Sequence, residues 1–567
     1  EGGDRAVAAA DLELIGDSEE AKLYNARILA AVRAGRFADA LRLLEDMVAR
    51  GMAPDGETFA CFFRFDLDDW QREALGHLDS GRSVLLAAPA GHGKLTAFMA
   101  AAVRQIAVGK RTWVVLPLQQ SAKRYYRLLS EMFGEERVGC SIGPVAHRPI
   151  APVVVVTLQA FAQATYDFQA AAAGGGMESS ANLPWDGVGL ITLQDFHTLG
   201  DRRRAPLWEE ALSNVPSQVP LLLLSAVDSN CSPVVSWLSQ HHRPAALVRS
   251  GAAAVKRRYY YCWPGGMSIL LEDEGSLSPS LNAQLATQSM LQEGANSGRD
   301  VQVLHRPWQG NGQLEPGGRV YGTRKSATPR RPSLRFTLWQ MNRRGHLPAV
   351  FFFFARAGCE AALKQAAGKG VSLSLVGPED VAAVEQRLAP FLEACPWYAH
   401  APEVDALRKG IAAHHAGQLP AWRALVEDLA AAGHVKLLFA TPAASAGLHL
   451  RMRTVVVTAL TKKLGGRARG SRMSMPYEFE MMASCAGRRG KDTHGNAVIL
   501  QTPLTGALDA FVLCKASSLS IVVQNSPSYN TVLRLLALHP LPRVVAVLRG
   551  ALGAHMVGPR PGGGGEG

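Results

Sequence analysis

The chain has 567 residues, of which 47% are hydrophobic and 19% are charged, and its formal net charge is +12. This length exceeds what one hydrophobic core supports, so two to four domains are expected, and the apolar content excludes a disordered protein. The positive charge favours a polyanionic partner such as nucleic acid. An Arg- and Ala-rich composition can also follow from the base composition of a genome, so charge alone does not decide the partner.

The eight cysteines include no C-x-x-C pair. Their scatter argues against a zinc site and a disulfide framework, and it predicts a reducing intracellular compartment. Apolar runs stay shorter than the roughly 18 residues of a membrane span, so no membrane association is expected. The chain begins at Glu1 rather than at Met, which is typical of a fragment or a processed form.

The first half of the chain predicts a lead, a hairpin and an α/β domain. Residues 1–20 are expected to be flexible, and residues 21–60 to form a helical hairpin. Over residues 61–248, short β-branched runs alternate with helical segments, which predicts a parallel sheet with helices on both faces. The predicted strands are Val84–Ala87, Trp113–Leu116, Val153–Thr157, Gly189–Leu193 and Leu221–Leu224.

The second half repeats this pattern after an interruption. Residues 249–335 are predicted to be a linker or disordered insertion, because Gly, Ser, Pro and Gln dominate from about residue 270. Residues 336–510 predict a second α/β domain, and residues 511–550 the start of a further region with a helix at Ser528–Leu538. Residues 551–567 read as a disordered Gly-rich tail. The second set of predicted strands is Ala349–Phe354, Val435–Ala440, Arg453–Val457 and Ala497–Gln501.

A glycine-rich loop follows the first predicted strand and opens a helix. Successive backbone N–H groups in such a loop form an anion nest, and Lys94 can reach the β- and γ-phosphates of a nucleotide. Leu95 stands where a hydroxyl should ligate Mg²⁺, and Thr96 does not replace it, because adjacent helical positions are rotated by about 100°. A chance Gly-rich turn is the alternative, which the strand–loop–helix context disfavours. The loop comprises Ala88, Pro89, Ala90, Gly91, His92, Gly93, Lys94, Leu95 and Thr96.

Further short motifs follow in a fixed order. They resemble the motifs of Ski-type DExH RNA helicases of superfamily 2, over residues from about 62 to 540. Within that branch, the chain looks most like the chloroplast helicases of plants and green algae. The motifs are Phe65–Gln71, Leu116-Pro117-Leu118, Val156-Thr157-Leu158-Gln159, Gln194-Asp195-Phe196-His197, Leu224-Ser225-Ala226, His414-His415-Ala416-Gly417, Leu438-Phe439-Ala440-Thr441 and Ala486-Gly487-Arg488-Arg489-Gly490.

This resemblance implies two tandem RecA-like α/β domains, preceded by the hairpin and followed by the start of a truncated helical or winged-helix region. It implies ATP and Mg²⁺ as cofactors, with ATP held between the two domains. The implied nucleotide-binding residues are Phe65, Gln71, the loop Ala88–Thr96, Gly447 and Arg488. The implied catalytic residues are Lys94, Asp195, His197 and Arg488.

RNA is the partner that the resemblance implies. Its contacts would go mainly to phosphate and sugar, so binding would tolerate any sequence and weaken with salt. A ribosome or RNA-processing complex and a chloroplast location are further expectations from the resemblance. The implied RNA-binding residues of the two domains are Pro117, Gly143, Thr157, Arg356 and Thr441.

Several catalytic positions depart from the family pattern. Gln194 replaces the aspartate that holds Mg²⁺, and its neutral oxygen is a weaker ligand than a carboxylate. Asp195 replaces the glutamate that activates water, and it is one methylene shorter. As neighbouring strand residues the two would point to opposite sides, so Asp195 could not serve both roles. Met481, Pro442 and Val227 also depart from the pattern, and Cys485 replaces one of two phosphate-facing arginines.

These losses predict weakened hydrolysis. Removing a catalytic base or a transition-state arginine typically costs about 10²- to 10⁴-fold in rate. Two alternatives remain open at the level of sequence. The chain is either an ATP-dependent RNA helicase with weakened hydrolysis or an ATPase-dead scaffold that keeps the RNA groove.

The hairpin resembles one pentatricopeptide repeat. Such repeats read single-stranded RNA one base per unit, and Asn25 and Asp55 match the positions that face the base. The resemblance implies a preference for uracil. A single unit buries little surface, and at least three usually stack, which favours a structural hairpin over an RNA reader.

Overall fold

The computed structural model describes most of the chain from residue 19 onward. Its described residues are 19–63, 65–89, 92–143, 146–172, 183–200, 204–226, 230–250, 255–271, 276–278, 281, 331–368, 375–442, 452–463, 471–473, 476–488, 491–515, 529–538, 540–552 and 555. Residues 1–18 of the predicted flexible lead and most of the predicted tail lie outside these residues, whereas residues 19 and 20 are helical. Two compact units emerge: a first unit of residues 1–253 and 518–567, and a second unit of residues 254–517.

The first unit is built on an eight-stranded sheet in the order β4-β3-β5-β2-β6-β7-β1-β8. All neighbours are parallel except β3 and β4. The central strands are continuous apolar runs, because helices cover both faces of a parallel sheet. The strands are β1 Ser83–Ala87, β2 Arg111–Leu116, β3 Val138–Ser141, β4 Ala146–His147, β5 Val153–Thr157, β6 Val188–Leu193, β7 Leu221–Ser225 and β8 Ala245–Arg249.

Nine helices of the first unit precede or alternate with these strands in the described residues. They are α1 (19–33), α2 Phe37–Ala49, α3 Gly56–Ala60, α4 Asp69–Asp79, α5 Lys94–Ala107, α6 Gln119–Phe133, α7 Leu158–Ala172, α8 Ala205–Asn214 and α9 Cys231–His241. Short 3₁₀ turns occur at Glu135–Arg137 and Phe196–Gly200.

The predicted hairpin exists as α1 and α2, and it packs into the core of the first unit. Buried side chains of both helices share one apolar cluster with α4, α5 and α6. The ring of Phe37 lies 5.4 Å from that of Phe62 and 5.3 Å from that of Phe133. The Glu45 carboxylate accepts two hydrogen bonds from Arg137, at 3.0 and 2.6 Å. These contacts support the structural alternative for the hairpin.

The second unit holds a seven-stranded sheet in the order β10-β9-β17-β14-β11-β13-β12, with a separate two-stranded ribbon of β15 and β16. The strands are β9 Lys256–Trp263, β10 Gly266–Ile269, β11 Ala349–Phe352, β12 Ile411–His414, β13 Leu437–Ala440, β14 Thr454–Val457, β15 Thr461–Lys463, β16 Ser471–Met473 and β17 His494–Leu500. The described helices are α10 Leu334–Arg343, α11 Arg356–Ala367, α12 Pro378–Ala394, α13 Pro402–Arg408, α14 Pro420–Ala432, α15 Pro476–Ala483 and α16 Ala507–Lys515, with a 3₁₀ turn at Pro396–Tyr398.

The predicted linker is wrong over its first part, because residues 256–263 form β9 inside the second sheet. This strand pairs in parallel with β17 and antiparallel with β10. Its side chains alternate between two cores: Tyr261 joins one buried cluster, and Tyr260 and Cys262 join the other. The Gly- and Ser-rich composition that suggested a linker begins only after these aromatic residues.

Two C-terminal helices, α17 Tyr529–Leu538 and α18 Leu541–Arg549, belong to the first unit. The sequence predicted the first of these helices, at Ser528–Leu538, but assigned it to a further region that follows the second domain. Arg534 of α17 pairs with the buried carboxylate of Glu210 at 2.8 Å and lies 4.3 Å above the ring of Tyr166. At the end of α18, the carbonyl of Gly550 accepts a hydrogen bond from the indole of Trp237 at 2.7 Å.

The observed architecture confirms the predicted fold class of two tandem RecA-like α/β domains. Every strand predicted from an apolar run is present within a few residues of its predicted bounds. Among the described helices, none combines the length and apolar character needed to cross a bilayer.

Candidate nucleotide and RNA site

The candidate residues of the first unit meet at one edge of its sheet. β6, β7 and β1 are neighbours, and their carboxyl ends lead into Gln194 and Asp195, into Ala226, and into the glycine-rich loop. Ligands of open α/β sheets bind at this edge because the loops that follow parallel strands converge there. The backbone joins two of these loops directly, since the N–H of Ala88 donates to the carbonyl of Ser225 at 3.0 Å.

The glycine-rich loop turns sharply into α5. Gly93 caps this helix with a φ of +96°, a left-handed conformation that glycine adopts without steric cost. The ammonium of Lys94 donates to the carbonyls of Ala88 and Pro89, at 2.5 and 3.0 Å. His92 is buried, and its Nδ1 lies 3.1 Å from the Pro89 carbonyl. The loop is thus closed around Lys94, while Ala90 and Gly91 lie outside the described residues.

Gln71 reaches the loop from α4. Its side chain is buried, its Oε1 accepts from the N–H of Asp68 at 2.9 Å, and its Nε2 donates to the carbonyl of Gly93 at 3.0 Å. Phe65, another residue implied in nucleotide binding, is 57% exposed, with its ring 6.2 Å from that of Phe63. The structure therefore links Gln71 to the glycine-rich loop and leaves Phe65 accessible.

Asp195 lies in a turn rather than in a strand. β6 ends at Leu193, and Asp195 has a φ of +50°, a left-handed conformation that aspartate tolerates better than most residues. Its carbonyl accepts from the N–H and the hydroxyl of Thr198, at 2.9 and 2.8 Å. The strand alternation used to separate Gln194 from Asp195 is therefore wrong, because the backbone turns between them.

His197 is buried between this turn and the end of β7. Burial lowers its pKa, the Asp195 carboxylate opposes that effect, and the charge of Lys94 adds to it. The Nδ1 of His197 accepts the N–H of Ala226 at 3.3 Å, so the neutral ring carries its proton on Nε2. The histidine thereby connects the loop after β6 to the loop after β7.

The structure shows the environment of two residues that depart from the family pattern, Leu95 and Gln194. Leu95 packs against the apolar cluster of the first unit, so it supplies contacts to the core and no oxygen. Gln194 is 4% exposed, and its Nε2 has no hydrogen-bond partner among the described residues. Within the described part of the chain, no three His, Cys, Asp or Glu side chains come together as a potential metal site.

Tyr125 of α6 is a neighbour of this site that the sequence did not indicate. Desolvation raises the pKa of its phenol, and the negative charge of Asp195 raises it further. No motif or spacing marks Tyr125, because its proximity to Asp195 arises only from the packing of α6 against the sheet.

In the second unit, Arg488 is held by Asp492. The guanidinium donates to both carboxylate oxygens, at 2.7 and 2.8 Å, and the N–H of Arg488 donates at 3.0 Å. Arg453 also donates to this carboxylate at 2.9 Å. Burial alone would raise the pKa of Asp492, but the two arginines lower it to about 2. Asp492 was missed in the sequence, because pairing between residues four apart is characteristic of helices and neither Arg488 nor Asp492 lies in one.

Cys485 is buried in the main apolar cluster of the second unit. Its thiol lies 3.7 Å from the carbonyl of Met481. A thiol at this position supplies no guanidinium donor, so Arg488 is the remaining arginine of the implied pair in the described residues. Gly447 and Val227 lie outside the described residues.

The implied RNA-binding residues of the first unit follow three neighbouring strands. Gly143 follows β3, Thr157 ends β5 and Pro117 follows β2. Gly143 is exposed, with a φ of +82° and nothing within 4 Å of an added Cβ. Thr157 is buried, and its hydroxyl lies 3.5 Å from the Ser141 carbonyl. These positions occupy the half of the sheet edge beside the glycine-rich loop and Asp195.

The implied RNA-binding residues of the second unit are likewise adjacent. Arg356 begins α11 directly after β11 and is exposed, and Thr441 follows the neighbouring strand β13. In the hairpin, Asp55 caps α3 by accepting from the N–H and hydroxyl of Thr58, at 2.8 and 2.9 Å. Base reading by Asn25 and Asp55 stays a prediction, and the use of Asp55 as a cap favours the structural alternative.

Comparison with known proteins agrees with this geometry. A family model described as DEAD/DEAH box helicase matches residues 68–230. The chain is a helicase-family protein with a DEAD/DEAH-box domain. The predicted resemblance to DExH RNA helicases is thereby confirmed, whereas the pentatricopeptide-like repeat stays a prediction.

Three relatives illustrate the similarity. The chloroplastic DExH-box ATP-dependent RNA helicase DExH15 of Arabidopsis thaliana is 31% identical over 85% of this chain and 41% of its own length. The probable helicase HelY of Mycobacterium tuberculosis is 28% identical over 84% of this chain and 50% of its own length. Human superkiller complex protein 2 is 27% identical over 84% of this chain and 36% of its own length. The chain thus spans half or less of the length of each of these curated relatives.

The arginine–aspartate cluster gives a first test. We expect Asp492→Asn to destabilise the protein by about 1–2 kcal/mol at neutral pH, since partial exposure of the arginines screens the pair. The pKa of Asp492 falls from 3.8 to about 2 on folding. The Asp492 carboxylate therefore contributes its full stabilisation above pH 3.8 and loses that stabilisation as the pH falls towards about 2. Urea denaturation should therefore show the difference from the unchanged protein shrinking as the pH falls through this range.

The matched control is Asp405→Asn, because Asp405 is 73% exposed and lies 3.4 Å from Arg408. Its effect should stay below about 0.5 kcal/mol. Equal effects of the two substitutions, or a pH-independent effect of Asp492→Asn, would contradict the assignment.

Proposed function

We propose that the chain binds ATP between its two RecA-like domains and uses it, with weakened hydrolysis, to remodel RNA in an organelle. The observation that carries this proposal is the order of residues along the sheet edge of the first unit. Loops after β1, β6 and β7 supply the nucleotide candidates, and loops after the adjoining strands β2, β5 and β3 supply the RNA candidates. A continuous edge of this kind can couple the two ligands.

On the nucleotide side, each retained residue has a distinct task. Lys94 releases the two loop carbonyls and binds phosphate oxygens, because an ammonium prefers an anion to a neutral carbonyl. The Asp195 carboxylate orients the attacking water, and His197 connects that turn to the loop that carries Ala226. Arg488 stabilises charge on the transferred phosphoryl group after leaving or sharing Asp492.

The same arrangement accounts for weak hydrolysis. Leu95 and Gln194 supply no hydroxyl and no carboxylate, so these residues do not fit the Mg²⁺ that the family generally uses with ATP. Asp195 is shorter than the expected glutamate, and Cys485 removes one arginine. Together these changes place the hydrolysis rate at least about 10²-fold below that of an intact motor, since losses of this kind are not additive.

On the RNA side, the proposed contacts use phosphate and sugar. Arg356 is an exposed cation at the start of α11, and the loops at Gly143 and Thr441 lie at sheet edges where a strand of RNA can approach. The chloroplast is the proposed location, because one relative is named chloroplastic. An RNA-processing assembly is the proposed setting, because other relatives are named for the superkiller complex and the exosome.

The second candidate is an ATPase-dead RNA-binding scaffold. Four positions favour it: Leu95, Gln194, Met481 and Cys485. RNA-stimulated ATP hydrolysis of the purified chain and of Lys94→Ala distinguishes the two candidates, with the Lys110→Ala variant as a control for loss of an exposed lysine. The proposed motor predicts slow hydrolysis that requires both RNA and Lys94. Identical background rates in all three proteins would reject the motor and favour the scaffold.

RNA affinity tests the groove separately from hydrolysis. Binding of a labelled single-stranded RNA, followed by fluorescence anisotropy at several salt concentrations, should weaken steeply with salt. Arg356→Glu should weaken binding several-fold and reduce the salt slope by about one, because one phosphate contact is lost. Arg387→Glu, an equal charge change at an exposed position within α12, should have the smaller effect. Salt-independent binding, or equal effects of both variants, would contradict the groove.

A further inference from the structure

We infer that the site around Lys94 holds a nucleoside di- or triphosphate without a bound divalent cation, with the Gln194 amide donating to a phosphate oxygen. This inference rests on the proposed nucleotide site and specifies how its phosphates are recognised. It begins from the mismatch between the residues present and the cation that helicases of this family generally use.

The first observation is the buried amide of Gln194. The residue follows β6 at the sheet edge, its backbone N–H donates to the Val115 carbonyl at 2.9 Å, and its side chain is 96% buried. Its Nε2 has no hydrogen-bond partner among the described residues. Leaving such a donor unsatisfied costs free energy, so a buried amide of this kind needs an acceptor.

A phosphate oxygen is the acceptor that fits this position. In the structure the unpaired group of this amide is its Nε2, and an N–H donor cannot ligate a cation. The positive charge of Lys94 also favours an anion at this position. Lys94 lies close enough to His197 to lower the pKa of that histidine. An ammonium and an amide donor at the end of two strands in one sheet form a site for an anion.

The second observation is the loss of the oxygens that a cation requires. Mg²⁺ demands near-octahedral oxygen ligands and accepts carboxylates most readily. The partly buried Leu95 side chain packs against the apolar cluster, and Asp195 is the carboxylate that remains beside Gln194 in the sequence. Replacing the metal-holding aspartate by Gln194 also removes a negative charge that would repel the phosphates once the cation is absent. The two changes together exchange a metal-bridged contact for a direct hydrogen bond.

The expected behaviour differs from that of a metal-dependent site. The protein should bind fluorescent N-methylanthraniloyl-ADP with affinities in Mg²⁺ and in excess EDTA that agree within about threefold. Gln194→Asp should lose affinity at least about tenfold in EDTA and recover it in Mg²⁺, because the carboxylate repels phosphate unless a cation intervenes. Gln194→Leu should bind about tenfold more weakly in both conditions, since the donor to a charged group is lost.

Equilibrium titration of the full chain, with Lys94→Ala as the site control, tests these values. Circular dichroism confirms that each variant is folded. Binding that requires Mg²⁺ in the unchanged protein would overturn the inference while leaving the proposed nucleotide site intact. Absence of binding in both conditions, or binding unaffected by Lys94→Ala, would overturn the nucleotide site itself and the inference with it.

Discussion

The constraint on which the rest depends is the parallel pairing of buried strands. Because β1, β7, β6, β2, β5 and β3 run side by side in one sheet, every loop that follows them opens at the same edge. Residues that are far apart in sequence, such as Lys94 and Asp195, are thereby placed where they affect one histidine. None of the substituted catalytic side chains is needed for this pairing. The helicase fold can therefore persist while its chemistry changes.

The residues that match the family pattern and those that depart from it differ in what their side chains contact. Gln71, Lys94 and His197 are tied into the loops by hydrogen bonds, so they stabilise the shape of the site as well as any ligand. Leu95 and Cys485 instead pack into apolar clusters, where they add contacts to the core. The exchange of polar groups for packing at these positions is consistent with a site that has given up part of its catalytic power and kept its fold.

Much of the fold could be predicted from sequence because buried parallel strands are continuous apolar runs bounded by turns. Val153–Thr157 shows this directly, since all five of its residues are buried. The strand β9 was missed because its tyrosines precede a long Gly- and Ser-rich stretch and were grouped with it. The placement of α17 against Glu210 and Tyr166 was also beyond the sequence, since it depends on contacts more than 300 residues apart.

The candidate site was predictable where a motif fixes both residue type and spacing, as in the loop that ends at Lys94. It was not predictable where backbone geometry or packing decides. The left-handed turn at Asp195, the proximity of Tyr125 and the pairing of Arg488 with Asp492 all arise from tertiary structure. Arg488 illustrates the difference: the motif identified the residue, and only the structure revealed the Asp492 carboxylate that holds its guanidinium.

The most direct test of the central claim is RNA-stimulated ATP hydrolysis after the replaced residues are restored. The variant combines Leu95→Thr, Gln194→Asp, Asp195→Glu and Cys485→Arg, and it is assayed with Mg²⁺ beside the unchanged protein. Our account predicts an increase of at least about 10²-fold, because the variant restores the hydroxyl, the two carboxylates and the guanidinium whose loss slows hydrolysis in this account. An equal or lower rate in a folded variant that still binds RNA would contradict it, since the substitutions would then not be what limits hydrolysis.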